Sequence, residues 1–119
     1  MTHYIENEFL TVGVKEYGCE LTSVKSKKDG YEFLWQGDEN IWYGQSPVLF
    51  PIVGRLIEDK YVLDGKEYEM PKHGFARKTN WNLLEKDEDS MSFILSESPE
   101  TLSKYPYKFD LIVTFTLDG

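Results

Sequence analysis

Short apolar runs of period two, broken by turn residues at roughly 8–12-residue spacing, fill most of the chain and predict an all-β protein. Phe9–Val14 reads as a first strand, and Glu20–Lys25 alternates apolar and polar positions as a half-buried strand does. Lys28-Asp29-Gly30 turns the chain into a further strand over Tyr31–Trp35, because Asp-Gly is a strong hairpin signal. Lys60–Leu63 and Lys66–Glu69 flank Asp64-Gly65, which predicts a two-residue hairpin with a type I′ turn. Asn80–Glu85 and Met91–Ser96 form another pair across Lys86–Asp89. Ser98 and Pro99 are a cap and a first helical position, so Pro99–Lys104 predicts one helical turn. Tyr107–Leu117 is the longest predicted strand, with Phe109, Leu111, Val113, Phe115 and Leu117 on one face.

Two stretches depart from this rhythm. From Gln36 to Leu56, Gly37, Gly44, Pro47, Pro51 and Gly54 break any long element, while Val48-Leu49-Phe50 and Ile52-Val53 stay apolar. Such a segment is expected to pack as a strap over the core, with its side chains held in place by a rigid sheet. Pro71–Arg77 is expected to be an irregular loop. The chain closes on Asp118-Gly119, a hairpin signal without a returning strand, so the sheet is expected to continue past Gly119. Residues 1–119 then form the N-terminal portion of a single, truncated β domain. Its open sheet edge would favour a homodimer.

Composition narrows the function. The 119 residues fit one domain, and 40% hydrophobic with 29% charged residues is ordinary for a soluble globular chain. A net charge of −8 is the wrong footprint for nucleic acid or an anionic membrane, and compatible with a neutral polar small molecule. Cys19 is the single cysteine, so no internal disulfide can form. No apolar leader opens the chain and no window approaches ~20 apolar residues, so a cytoplasmic protein is expected. The aromatic content of 15% serves packing, ligand stacking or both.

Candidate chemistry lies in the irregular segments. His73 sits between Pro71 and Gly74, and an imidazole there can exchange protons with a hydroxyl or simply bond to backbone. Arg55 ends the apolar strap, where its fork can grip two ligand oxygens or pair with one of the many carboxylates. His3 and His73 are too distant in sequence to suggest a metal site, and no phosphate loop or Gly-x-Ser-x-Gly elbow is present. Paired glycosidase-type carboxylates stay open, although nothing selects a pair.

Ser46-Pro47-Val48-Leu49-Phe50-Pro51-Ile52-Val53-Gly54-Arg55-Leu56, the hairpin around Asp64-Gly65, and Met70-Pro71-Lys72-His73-Gly74-Phe75-Ala76-Arg77 together resemble the aldose 1-epimerase family, and its LacX-like branch most. The tail from Tyr105 to Leu117 resembles the same branch. The resemblance implies part of a large antiparallel β-sandwich, the galactose mutarotase-like supersandwich. It implies an isomerase that interconverts the α and β anomers of a hexose by acid–base ring opening, with no cofactor and no metal. By resemblance Arg55 is substrate-binding, and His73 is both substrate-binding and catalytic. The family's second histidine and its glutamate base have no counterpart here, so the chain alone is expected to be inactive. A non-catalytic carbohydrate-binding protein is the alternative. A phosphorylated sugar would call on Arg55, Lys72, Arg77 and Lys78, but the −8 charge favours a neutral one.

Overall fold

Alternation becomes register in the computed structural model, which describes residues 1–38, 40–42 and 44–118. Strands β1 (Thr2–Glu6), β2 (Leu10–Lys15) and β3 (Glu20–Ser26) form one antiparallel sheet in that order. Strands β4 (Lys60–Leu63) and β5 (Lys66–Glu69) form a hairpin, and β6 (Asn82–Lys86), β7 (Ser90–Ser96) and β8 (Asp110–Thr116) form a second antiparallel sheet. One short helix, α1 (Pro99–Lys104), precedes β8. No helix among the described residues is long and apolar enough to cross a membrane.

The local signals translate directly. Asp64 and Gly65 both take positive φ, 51° and 78°, as a type I′ turn requires, and Tyr61 faces Tyr68 across the hairpin. Ser98 caps α1 through the Thr101 N–H while the Thr101 hydroxyl accepts from the Ser98 N–H. Along β8, Leu111, Val113 and Phe115 pack against the core from one face. That strand is shorter than the predicted Tyr107–Leu117, because Tyr107 and Phe109 lie before the ladder with β7. Among the described residues no strand pairs with the other edge of β8. The expected turn at Asp118-Gly119 includes Gly119, which lies outside the described residues.

Two expectations need correction. Phe9–Val14 does not open the sheet: Thr2–Glu6 pairs with β2 ahead of it, placing buried Ile5 opposite Val12. The Asn7 side-chain carbonyl makes that turn by accepting the N–H groups of Phe9 and Leu10, at 2.9 and 2.8 Å. Tyr31–Trp35 is not a strand. It meets β3 in a single bridge, Lys25 to Glu32. The Glu32 carboxylate takes the Ser23 hydroxyl and the N–H groups of Val24 (2.7 Å) and Leu34 (3.1 Å), so a side chain occupies the Val24 donor that a ladder would use. Pro71–Arg77 is irregular as expected, though its end enters a single 3₁₀ turn, Ala76–Lys78.

Among its described residues the predicted strap holds no named strand or helix, and its Val48, Phe50, Ile52 and Leu56 pack against the core. Phe50 is the anchor. Its ring meets Phe109 at 5.2 Å, Tyr105 at 5.9 Å and Phe75 at 6.1 Å between centroids, which ties the strap to the link between α1 and β8 and to the His73 loop. Beneath lie Val14, Phe93 and Trp81, with the Trp81 indole N–H donating to the Ala76 carbonyl at 3.0 Å. The radius of gyration, 16.6 Å, exceeds the ~13.5 Å of a compact domain of this length, so the layers form a slab and leave apolar side chains such as Ile57 and Ile41 in solvent.

Candidate functional site

One end of the strap is fixed by a carboxylate. Glu20, at the start of β3, is buried, pairs with Lys15 at 3.2 Å and accepts the backbone N–H groups of Gln45 (2.8 Å) and Ser46 (3.0 Å). Burial alone would raise its carboxyl, but those two N–H groups and the Lys15 ammonium outweigh it and hold it below the usual carboxylate range. A depressed folded-state pKa contributes stability above the unfolded value near 4.5, and that stability is lost as pH falls through the lower folded value. Glu20→Gln is therefore expected to cost about 1.5–3 kcal/mol at neutral pH. Urea unfolding at a series of pH values should show wild type and variant converging as the pH falls below 4.5. A constant difference would mean that the charge on Glu20 does not hold the strap.

The other end of the strap crosses the His73 loop. Phe50 and Gly74 form a parallel bridge, and the Phe50 carbonyl accepts from Phe75 (3.0 Å) and Ala76 (3.2 Å). His73 itself has φ of 63°, a left-handed conformation that points its backbone N–H at the Gly54 carbonyl, 2.7 Å away. The Gly54 N–H in turn donates to His73 Nδ1 at 2.8 Å. That bond needs the Nδ1 lone pair, so the proton of the neutral ring sits on Nε2. Two reciprocal bonds thus fix both the orientation and the tautomer of the imidazole.

A cleft of ≈ 380 Å³ opens beside it, lined by Trp42, Pro47, Leu49, Lys72, His73 and Arg77. A neighbouring hollow of ≈ 360 Å³ shares Trp42, Pro47 and Arg77 with it and adds Lys15, Glu20 and Lys78 to its lining. Arg77 donates through Nη2 to the Lys72 carbonyl at 3.1 Å, while its buried Nε has no acceptor among the described residues. A larger hollow of ≈ 560 Å³ exists elsewhere, but its rim of Glu6, Glu8, Lys27, Lys86, Asp87 and Glu88 is net acidic and holds no histidine. The His73 cleft is the better site because it joins a fixed imidazole, an indole and cations.

Arg55 and His73 are neighbours through the backbone, since Gly54 bonds to His73 and Arg55 follows it. Their side chains are used differently. The Arg55 fork makes a two-point pair with Asp59, Nε at 2.9 Å and Nη2 at 3.2 Å, and is 68% exposed. The pair raises the Arg55 pKa and lowers that of Asp59. Arg55 is not among the residues lining the His73 cleft. Trp42 escaped the sequence reading, because an aromatic residue in a broken segment carries no periodic signal. The only local hint was Gly44 two residues on, which leaves room for the indole. Cys19 is fully buried and its thiol is pushed up to about 12 by that burial, which leaves it inert.

Against known proteins, the family model for aldose 1-epimerase matches residues 1–119. The plasmid-encoded protein LacX of Lactococcus lactis subsp. lactis is 43% identical over 124 residues, covering 100% of this chain and 41% of LacX. A galactose mutarotase-related enzyme from Lactobacillus acidophilus superposes with a TM-score of 0.97 at 41% identity, over 99% of this chain and 39% of that one. A galactose mutarotase-like protein from Lactobacillus casei gives 0.95 at 37% identity, over 99% of this chain and 40% of that one. The fold is therefore the galactose mutarotase-like one, and the chain spans 41% of the length of LacX.

Proposed function

The chain belongs to the aldose 1-epimerase family, and on that premise we propose that it is the N-terminal portion of a single β-sandwich domain that interconverts the α and β anomers of a hexose. The observation that carries this reading is the bond from the Gly54 N–H to His73 Nδ1, 2.8 Å, which leaves Nε2–H as a donor on the wall of the cleft. Ring opening needs a base to remove the anomeric hydroxyl proton and an acid to protonate the ring oxygen. A donor of fixed tautomer polarises a sugar oxygen without itself being consumed, and stabilises the charge that develops there as the ring opens. Arg55 keeps donors beyond those given to Asp59, and these grip sugar hydroxyls from the strap side. Both roles fall on residues whose backbones one clasp makes neighbours.

No carboxylate lines the His73 cleft among the described residues. That favours a second reading, a carbohydrate-binding chain that holds a sugar without opening it. It also accounts for the expectation that the 119 residues alone are inactive. The finer picture is completed by a cytoplasmic location and by a homodimer formed through the outer edge of β8, which light scattering over a concentration series tests. Polarimetry of freshly dissolved α-galactose decides between the two readings. The full-length protein should carry the rotation to equilibrium well ahead of buffer, while the 119-residue chain should follow buffer. A full-length protein that binds galactose yet follows buffer would establish the binding reading in place of the enzyme.

A further inference from the structure

We propose that the indole of Trp42 is the platform on which the sugar ring stacks, so that this residue sets how the ring is presented to His73; the inference rests on the sugar-site reading above. Trp42 is 53% exposed although indole surface is costly to leave in water. It is nevertheless held. A Cβ placed on Gly44 would lie 3.0 Å from each of three indole atoms, Cε2, Cζ2 and Nε1. The Nε1–Cζ2 edge of the indole is therefore packed against the Gly44 backbone, while about half of the residue stays open to solvent.

The backbone beneath is also fixed. The Trp42 carbonyl accepts the Trp35 indole N–H at 2.9 Å, Asp38 and Trp42 are bridged, and Gln45 and Ser46 hang from buried Glu20. Trp42 lines the ≈ 380 Å³ cleft together with His73 and Arg77, and that volume lies in the roughly 300–1,000 Å³ range of small-molecule sites. A flat aromatic face takes a flat apolar partner, and its electron-rich surface prefers polarised C–H groups directed at it. One face of a pyranose ring supplies those C–H groups while its hydroxyls project around the rim. Sugar laid on Trp42 therefore turns its hydroxyls towards the donors of the same cleft, His73 Nε2–H and the Arg77 guanidinium.

The test uses the 119-residue chain and methyl β-galactopyranoside, a probe that cannot open its ring and so reports binding without reaction. Saturation-transfer NMR measures its affinity for wild type, Trp42→Ala, Trp42→Phe and His73→Ala, with thermal unfolding confirming that each variant is folded. Wild type should bind with saturation concentrated on the C–H protons of one ring face. Trp42→Ala should weaken binding at least about tenfold, whereas Trp42→Phe, which keeps a flat ring, should stay within about threefold. A folded Trp42→Ala that binds like wild type overturns the platform while leaving the His73 reading intact. Loss in Trp42→Ala together with wild-type affinity in His73→Ala keeps the platform and overturns the role of His73. Absence of binding by wild type overturns both.

Discussion

Replacing His73 by alanine is expected to slow anomer interconversion in the full-length protein by at least ~10²-fold, a loss of about 2.7 kcal/mol in transition-state stabilisation. Nδ1 is occupied by the Gly54 N–H, so the proposed chemistry depends on Nε2–H alone. Alanine removes both the donor and the acceptor that Gly54 uses, and a slower enzyme could then reflect a loosened strap. His73→Asn separates the two effects. Asparagine tolerates the left-handed backbone found at φ 63°, and its side-chain oxygen can accept the Gly54 N–H. It lacks a donor at the Nε2 position. The expected result is a near-wild-type melting temperature with the rate still depressed, measured by polarimetry on α-galactose. Full activity in His73→Asn would remove Nε2–H from the reaction.

Gly74→Ala is expected to destabilise the fold by about 4 kcal/mol. Gly74 has φ of 78°, which costs any L-residue about 1–2 kcal/mol. Its Cβ would overlap the Phe50 carbonyl and approach Pro51 N to 2.7 Å. Relief requires the strap to withdraw, and withdrawal breaks the bonds from Phe75 and Ala76 to the Phe50 oxygen, each worth about 1 kcal/mol net. Gly65→Ala is the control. Gly65 has the same φ, 78°, but nothing within 4 Å of a Cβ, so only the backbone strain of ~1 kcal/mol should appear. Urea denaturation of both variants gives the comparison. Equal losses would mean that contact between strap and loop adds nothing beyond the backbone conformation.

These predictions sit where local and long-range information part. The hairpin at Asp64-Gly65, the Ser98 cap and the inward face of β8 were all legible in the sequence, because each depends on residues within a few positions of one another. The strap was legible too, since glycine and proline break regular structure wherever they stand while Val48 and Phe50 still seek a core. The strand expected over Tyr31–Trp35 failed for a physical reason. Its alternation was real, but the Glu32 carboxylate reached across to β3 and took the Val24 N–H that a ladder would have used, and no pattern of apolar positions encodes that competition.

The site divides in the same way. His73, Arg55 and their motifs could be read along the chain, and the sequence determined the residue types, the turns around them and the family they match. Only the tertiary structure decided their use. It brought Gly54 to His73 across 19 positions, and so chose which imidazole nitrogen keeps its proton. It gave the Arg55 fork to Asp59, one of the two outcomes its chemistry allowed. It laid Trp42 over Gly44 in the wall of the His73 cleft. Each of these is a choice among several chemically equal partners, made by whichever group the packing of Phe50 and the anchoring of Glu20 bring within reach. Hydrogen bonds and stacking act over a few ångströms in space, whereas sequence measures distance along the chain.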